Sequence, residues 1–536
     1  MSNKKKFSIS DWLNERLRLD KLPFFRTPDY MYNAATWLGA LVAAAFFWQA
    51  ITGLILLMYY DAGNAYNSTI SIINDVPYGS VLLFSHLYGA FAMILLVYTH
   101  MFYNYFRGAY KRPRELIWIL GIILLLLTLG TAFYGYSAIG DVLAVSALDV
   151  GSGILSGIGL GSLVPVAFGD YAAGNFSRII GLHVALAALI FLFFALHFFL
   201  AEQQGMMPPR SVRPKAPAIY AEEEEKNFNP WWPRNFVYML SLIFMTWGWI
   251  LIISNSLAYL SHYPVYLDPF LNPRPAPSPT SPAAATITAY PPWFFLFFFK
   301  MADFISSFPA LVAVGAIPLI WLLITPFIDR SDELHPLKRK VFTGVGILMI
   351  TYMIQLTIWG AIAPAKPATP EEITLVFLPP AIIVAVALPF IKPKEDIRAQ
   401  NRGLGGNMQF TYLAMASIFL LSAVLMFPSP TLLGIVTSLV LLTGIAAYSD
   451  KVFPTMKAAG TSAEKATTIN VSLERKKKLA EVIIAILFAM SVIIAFNMWT
   501  VPPKGFYSNL FGIDLGLIFL MLGTAISLYH YVVYKK

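Results

Sequence analysis

Runs of about twenty apolar residues, separated by shorter polar stretches, recur along most of this chain, and each is long enough for a helix to cross a bilayer. They lie near 35–59, 79–104, 116–137, 176–201, 235–258, 309–328, 342–362, 373–391, 410–428, 431–448, 478–498 and 508–533. The pattern predicts an all-α, polytopic membrane protein of about twelve spans. Residues 8–25 alternate apolar and charged positions at helical spacing, which predicts an amphipathic segment lying on the membrane surface. Two long connections, 138–175 and 259–308, are rich in Gly, Ser, Pro and aromatic residues and read as functional loops. Segment 202–234, with Glu222 to Glu225, reads as solvated, and 451–477 as a linker.

Composition agrees with the pattern: 57% of residues are hydrophobic and 12% are charged. The net charge of +9 changes the picture only in where it falls. Lys4–Lys6, Arg107–Arg114, Arg210–Lys215, Lys338–Lys340, Lys392–Arg398 and Arg475–Lys478 all lie on one side of the predicted topology. The other side has mainly Arg178, Arg274, Lys300, Lys366 and Lys504. This bias predicts a cell-membrane protein with both termini cytoplasmic, and it assigns the charge to topology rather than to a nucleic-acid partner. The first residues, MSNKKKFSISDW, lack the apolar core and cleavage site of a removable signal peptide. With no cysteine, the chain has no disulfide, no thiolate-held cluster and no c-type haem attachment, so any metal must rest on His, Met or carboxylates.

Of the seven histidines, four fall inside two spans. His86 and His100 are fourteen residues apart in the second run, and His183 and His197 repeat the spacing in the fourth. Fourteen residues return a helix to within roughly 40° of the same face about 21 Å further along its axis. A single intramembrane histidine is commonly a hydrogen-bonded packing residue. Two equal pairs on helices running in the same direction instead suggest two stacked flat ligands, His86 and His183 sharing the outer level and His100 and His197 the inner. Gly39 and Gly53 in the first run and Gly121 and Gly135 in the third repeat the offset, which fits helices whose glycines let a porphyrin approach the backbone.

Over roughly residues 10–360 the chain resembles cytochrome b of the quinol:cytochrome c oxidoreductase (bc-type) complexes. Besides the His and Gly pairs, the matching stretches are DVPYG at 75–79, YKRPRELIWILG at 110–121, TAFYGY at 131–136 and LDPFLNP at 267–273. PPWFFLFFF at 291–299 resembles the family's Pro-Glu-Trp-Tyr segment, and ITPFIDRS at 324–331 the helix end that follows it. The resemblance implies two low-spin, bis-His haems, of b type or a modified type such as A. His86 and His183 would ligate the outer haem, and His100 and His197 the inner. With the runs beyond it, the chain is read as units at 1–30 (surface segment), 31–234 (four-helix di-haem bundle), 235–400 (C-terminal cytochrome b-like helices) and 401–536 (four-helix extension).

The resemblance further implies quinol oxidation near the outer haem and quinone reduction near the inner one, with Tyr136 and Trp293 at the outer pocket. Departures accompany the match. The family's proton-accepting Glu is Pro292 and the adjacent Tyr is Phe294, which leaves Asp141, Asp149 and Asp303 as alternative acceptors. Among arginines that pair with haem propionates, Arg178 is kept, those expected at Leu83 and Tyr103 are absent, and Arg107 stands a turn further on as a substitute. At the inner pocket the family's quinone-contacting His falls at Glu202, and Arg234 and Asn235 stand where a basic residue and Asp are usual.

The sequence is therefore read as a divergent, archaeal-type, di-haem electron-transfer subunit of a quinol-oxidising respiratory complex that contributes to proton translocation. A Rieske iron–sulfur protein is its implied partner, with a terminal oxidase or a cytochrome beyond it, and membership of a homodimer or supercomplex in membrane lipid is implied as well. Two rivals are a haem-carrying structural subunit without quinol chemistry, as Pro292 and Phe294 permit, and a secondary transporter. A transporter would show inverted repeats and interrupted helices, and has no use for four histidines at one spacing.

Overall fold

A computed structural model describes residues 25–260, 274–391, 424, 429–447 and 473–534. The LDPFLNP stretch and most of the expected amphipathic segment 8–25, of the run at 410–428 and of 451–477 lie outside the described residues. Eleven of the twelve predicted runs are helices. Ten helices are long and apolar enough to cross a membrane among the described residues, so the chain is an all-α, multi-pass membrane protein. The only β pairing among those residues is two isolated bridges, Thr27 with Asn229 and Lys215 with Glu333.

The first four spanning helices are α1 (Leu38–Leu57), α3 (Gly79–Arg107), α4 (Glu115–Ser137) and α6 (Ser177–Gln204), with the short α2 (Ala65–Asn74) and α5 (Val142–Gly157) in the connections. Next come α7 (Phe236–Leu260), the short α8 (Trp293–Ala302), α9 (Phe308–Ile328), α10 (Lys340–Ile362) and α11 (Pro370–Ala387). Last are α12 (Pro430–Ala447), α13 (Leu473–Met498) and α14 (Asn509–Tyr534). Helix α3 is the most enclosed spanning helix, half of its most apolar stretch being buried. It packs against α1, α7 and α4, while α4 pairs with α6.

The connection at 138–175 holds more structure than its Gly- and Ser-rich sequence suggests. Asp141 caps α5 by accepting from the Ala144 N–H at 2.9 Å, and Leu143, Ala144 and Leu148 form the buried face. Segment 202–234 is solvated at Glu222 and Glu223, as expected, but docked elsewhere. The Ala216 N–H donates to the Asp332 carbonyl at 2.7 Å, and Ala216 and Ala218 are buried beside Leu334.

The C-terminal helix is sealed to the body of the protein by glycines. A Cβ placed on Gly516 of α14 would lie 2.8 Å from the Ile252 backbone nitrogen and 2.9 Å from the Gly248 carbonyl. Gly248 and Gly523 meet the facing backbone as closely, so α7 and α14 touch main chain to main chain. Asn509 at the start of α14 donates to the Ser80 hydroxyl of α3 at 2.9 Å. Gly516→Ala forces two backbones apart and should destabilise the protein by about 1–3 kcal/mol. Thermal unfolding in detergent checks this against Gly130→Ala, whose added methyl meets Leu186 at an ordinary 3.6 Å; equal stability of the two variants would contradict the seam.

Candidate functional site

The His86 and His183 rings face each other across the bundle with centroids 6.1 Å apart and planes at 77°. Each ring has its Nδ1 side occupied. The Thr52 hydroxyl of α1 donates to the Trp48 carbonyl at 2.8 Å and lies 3.0 Å from His86 Nδ1, within hydrogen-bonding distance. His183 Nδ1 donates to the Thr131 carbonyl of α4 at 2.9 Å. A carbonyl can only accept, so the Thr131 bond selects the tautomer that leaves the His183 Nε2 lone pair free for a metal. Two imidazoles on one metal, at about 2 Å per metal–nitrogen bond, have ring centres about 6 Å apart. The observed 6.1 Å fits a shared iron.

The second level repeats half of this construction. His197 Nδ1 donates to the Ile117 carbonyl at 3.0 Å, and the Asn104 amide lies 3.3 Å from His100 Nδ1. On α4 each accepting carbonyl stands four residues before a glycine, Thr131 before Gly135 and Ile117 before Gly121. That is one helical turn, so the missing side chain is what lets the imidazole reach the carbonyl. Each of the four glycines faces one histidine. A Cβ would meet His183 Cε1 at 2.6 Å from Gly135, His86 Cε1 at 3.0 Å from Gly53, His100 Cε1 at 3.4 Å from Gly39, and His197 Cε1 at 3.5 Å from Gly121. The glycine spacing seen in the sequence is thus a one-to-one match of glycines to rings. Thr52 and the two carbonyls were not found from sequence, because nothing in residue type marks a backbone acceptor.

Of the predicted arginines, Arg178 lines a cavity of about 520 Å³ with Asp170, Asn175, Ser177 and Gly181, five residues before His183. Arg107 donates to the Met207 carbonyl at 3.0 Å and stacks its guanidinium over Tyr103 at 5.1 Å.

Tyr136 reaches the segment that leads into Trp293. The Tyr136 hydroxyl donates to the Tyr290 carbonyl at 3.4 Å, three residues before Trp293, and the Arg274 guanidinium lies 3.9 Å above the Tyr136 ring. Trp293 lines an apolar cavity of about 480 Å³ between α3, α8 and α10, with Tyr98, Phe102 and Met353 among its walls. Asp141 is fully buried in a bidentate pair with Arg274, at 2.5 Å to Nε and 2.6 Å to Nη2, and also accepts the Ala144 and Ala276 N–H groups. All four of its acceptor positions are filled. Asp303 pairs with Lys300 at 2.8 Å, and burial holds its carboxyl above the usual carboxylate range against the pull of that ammonium. Asp149 accepts from the Tyr171 hydroxyl at 2.7 Å in an exposed setting.

Glu202 accepts the Phe25 N–H at 2.8 Å. Arg234 holds Asp29 at 2.5 Å, and Asn235 donates to Thr27 at 2.9 Å. These three residues anchor the segment 25–32 to the helix ends.

An all-α membrane bundle that holds His86 and His183 opposite one another suits a flat, metal-centred group between them. The family model described as Cytochrome b(N-terminal)/b6/petB matches residues 91–279, and that described as Cytochrome b(C-terminal)/b6/petD matches 279–378. Cytochrome b of Sulfolobus acidocaldarius is 40% identical over 99% of both chains. The cytochrome bc complex cytochrome b subunit of Chlorobaculum thiosulfatiphilum is 29% identical over 65% of this chain and 80% of its own. A solved structure titled Hyperthermophilic respiratory Complex III matches 71% of this chain and 98% of its own with a TM-score of 0.55 and 23% identity, a likeness of fold. The chain belongs to the cytochrome b family. It is thus an electron-transfer subunit of cytochrome b type, of an oxidoreductase class whose cofactor is haem b.

Proposed function

We propose that this chain is the di-haem subunit of a quinol-oxidising respiratory complex in the cell membrane, with both termini cytoplasmic. His86 and His183 hold the outer haem, and His100 and His197 the inner one. The haems, of b type or a modified type such as A, supply one-electron redox chemistry across the membrane when bound. The observation that carries this reading is the His86–His183 pair, 6.1 Å between ring centres with both Nδ1 atoms engaged. Two imidazoles per iron leave no open coordination position, which suits electron transfer rather than oxygen binding.

The chain's own residues set the rest. The four glycines admit the rings, and Arg178 and Arg107 pair with propionates of the outer and inner haems. Tyr136 and Trp293 form the wall of an outer quinol pocket, and the raised carboxyl of Asp303 suits it to take a quinol proton, whereas Asp141 is committed to Arg274. Glu202, Arg234 and Asn235 border the inner quinone pocket. The partner that accepts the second electron is a Rieske iron–sulfur protein, with a terminal oxidase or cytochrome downstream, in a homodimer or supercomplex. Proton release outside and uptake inside then contribute to proton translocation.

The test is anaerobic haem reduction by added quinol, followed optically. Tyr136→Leu and Trp293→Leu should each slow it by about 10²-fold through misplacement of the quinol, while chemical reduction by dithionite stays complete. If quinol reduces neither haem in the unaltered protein, the chain is a haem-carrying structural subunit, as the Pro292 and Phe294 replacements permit.

A further inference from the structure

The glycine seam between α7 and α14 continues toward the inner end of the protein and delivers a histidine there. A Cβ on Gly523 would lie 2.8 Å from the Met245 backbone nitrogen and 2.9 Å from the Ser241 carbonyl. The two helices run antiparallel, so two turns further along α14 and two turns back along α7 set His530 against Tyr238, with ring centroids 5.4 Å apart. Arg234 and Asn235 stand in the turn that leads into α7, just before Tyr238. His530 is thus a fifth histidine within a spanning helix, and it belongs to neither of the two pairs.

Aromatic rings enclose it. Besides Tyr238, the Tyr32 ring lies 4.9 Å from that of His530 and the Tyr534 ring 5.2 Å. The Arg234 guanidinium sits 4.6 Å from the Tyr32 ring and 5.5 Å from that of Tyr534, and the Tyr32 hydroxyl donates to the Asn235 side-chain oxygen. His530 is 8% exposed, yet among the described residues its Nε2 has no hydrogen-bond partner, and neither does the buried Nε of Arg234. An unpaired buried ring nitrogen is costly, and packing alone would be served better by phenylalanine. Flat rings on several sides and two unspent polar atoms in one corner suit a flat ligand that carries oxygen at the edge of its ring.

We propose that His530 is a quinone-binding residue of the inner pocket, with its Nε2 hydrogen-bonded to an oxygen of the quinone ring. This rests on the inner-pocket reading above and adds to Glu202, Arg234 and Asn235 a residue from α14, a helix beyond residues 91–378 that the family models match. A neutral imidazole nitrogen donates to a quinone carbonyl in one tautomer and accepts from a quinol hydroxyl in the other, so a single contact serves both redox states. The seam gives the C-terminal helix a part in the site as well as in the packing, because it fixes His530 beside Arg234 and Asn235.

The test is photolabelling of the full-length purified protein with an azido-benzoquinone carrying a short alkyl tail, titrated to saturation and mapped by peptide mass spectrometry. In the unaltered protein the label should fall on α14 within a turn of His530 and on segment 25–32. His530→Phe keeps a flat ring but has no ring nitrogen, and it should raise the quinone concentration needed for half-maximal labelling there about tenfold. His530→Gln, whose amide can stand where Nε2 does, should recover most of that loss. An unchanged haem spectrum in both variants measures folding. Label on segment 25–32 but none on α14, or equal labelling in His530→Phe, would overturn the proposal while the inner pocket stands. A loss that His530→Gln does not recover would overturn it in favour of a packing role. Unaltered protein labelled at neither place would overturn the inner-pocket reading and this proposal with it.

Discussion

Replacing His183 with leucine should halve the haem content of the purified protein, from two per chain to one, and abolish the spectrum of the outer haem while sparing the inner. His183 offers its Nε2 because Thr131 takes its Nδ1–H, and the partner ring is set by Thr52 on another helix. No substitute ligand stands ready. The chain has no cysteine, and no group of three or more His, Asp or Glu able to hold a metal occurs among the described residues. One remaining imidazole cannot make a low-spin, six-coordinate iron. Haem extracted and quantified against protein gives the stoichiometry, and the optical spectrum gives the identity. A variant that keeps two low-spin haems would show that the facing of His86 and His183 has nothing to do with ligation. Quinol-dependent reduction should stop in the same variant, since the proposed outer pocket would have lost its electron acceptor.

Gly135→Ala and Gly121→Ala should differ sharply although they are the same change, one helix apart from itself by fourteen residues. The added methyl at Gly135 would stand 2.6 Å from His183 Cε1, far inside contact distance, while at Gly121 it would stand an ordinary 3.5 Å from His197 Cε1. The first must push the ring off the Thr131 carbonyl or bend α4; the second need do neither. A strained core insertion costs about 1–3 kcal/mol, so the outer haem should be held roughly tenfold or more weakly in Gly135→Ala and the inner haem hardly less tightly in Gly121→Ala. Competition for the bound haem by apomyoglobin measures this directly. Gly53→Ala, at 3.0 Å from His86, should fall between them. Equal retention across the series would mean that the glycines do not admit the rings.

Most of the bundle was legible because a bilayer leaves the sequence few choices: an apolar run of about twenty residues must be a helix, since its backbone finds no water to bond. The histidine and glycine pairs were legible for a related reason, as a helix converts a repeat of fourteen into shared faces. What remained hidden was whatever depends on contacts between distant segments. The Asp141–Arg274 pair joins residues 133 positions apart, and nothing local marks Asp141 as structurally committed. The helix α5 was hidden because its Gly and Ser content reads as loop; its Asp141 cap and apolar face emerge only once Phe168 packs against it. Glu202 shows the same. Its type at a helix end is equally suited to a ligand or to an anchor, and its bond from Phe25 joins residues 177 positions apart, which nothing local marks.

The glycine seam between α7 and α14 bears on how the protein is made. Asn509 at the head of α14 reaches back 429 positions to Ser80, six residues before His86. That bond closes only after the ribosome has released nearly the whole chain. The helix that carries the first histidine of each pair emerges early, yet one of its fastenings arrives last, so a transcript cut short before α14 yields a bundle whose His86 end lacks that clamp.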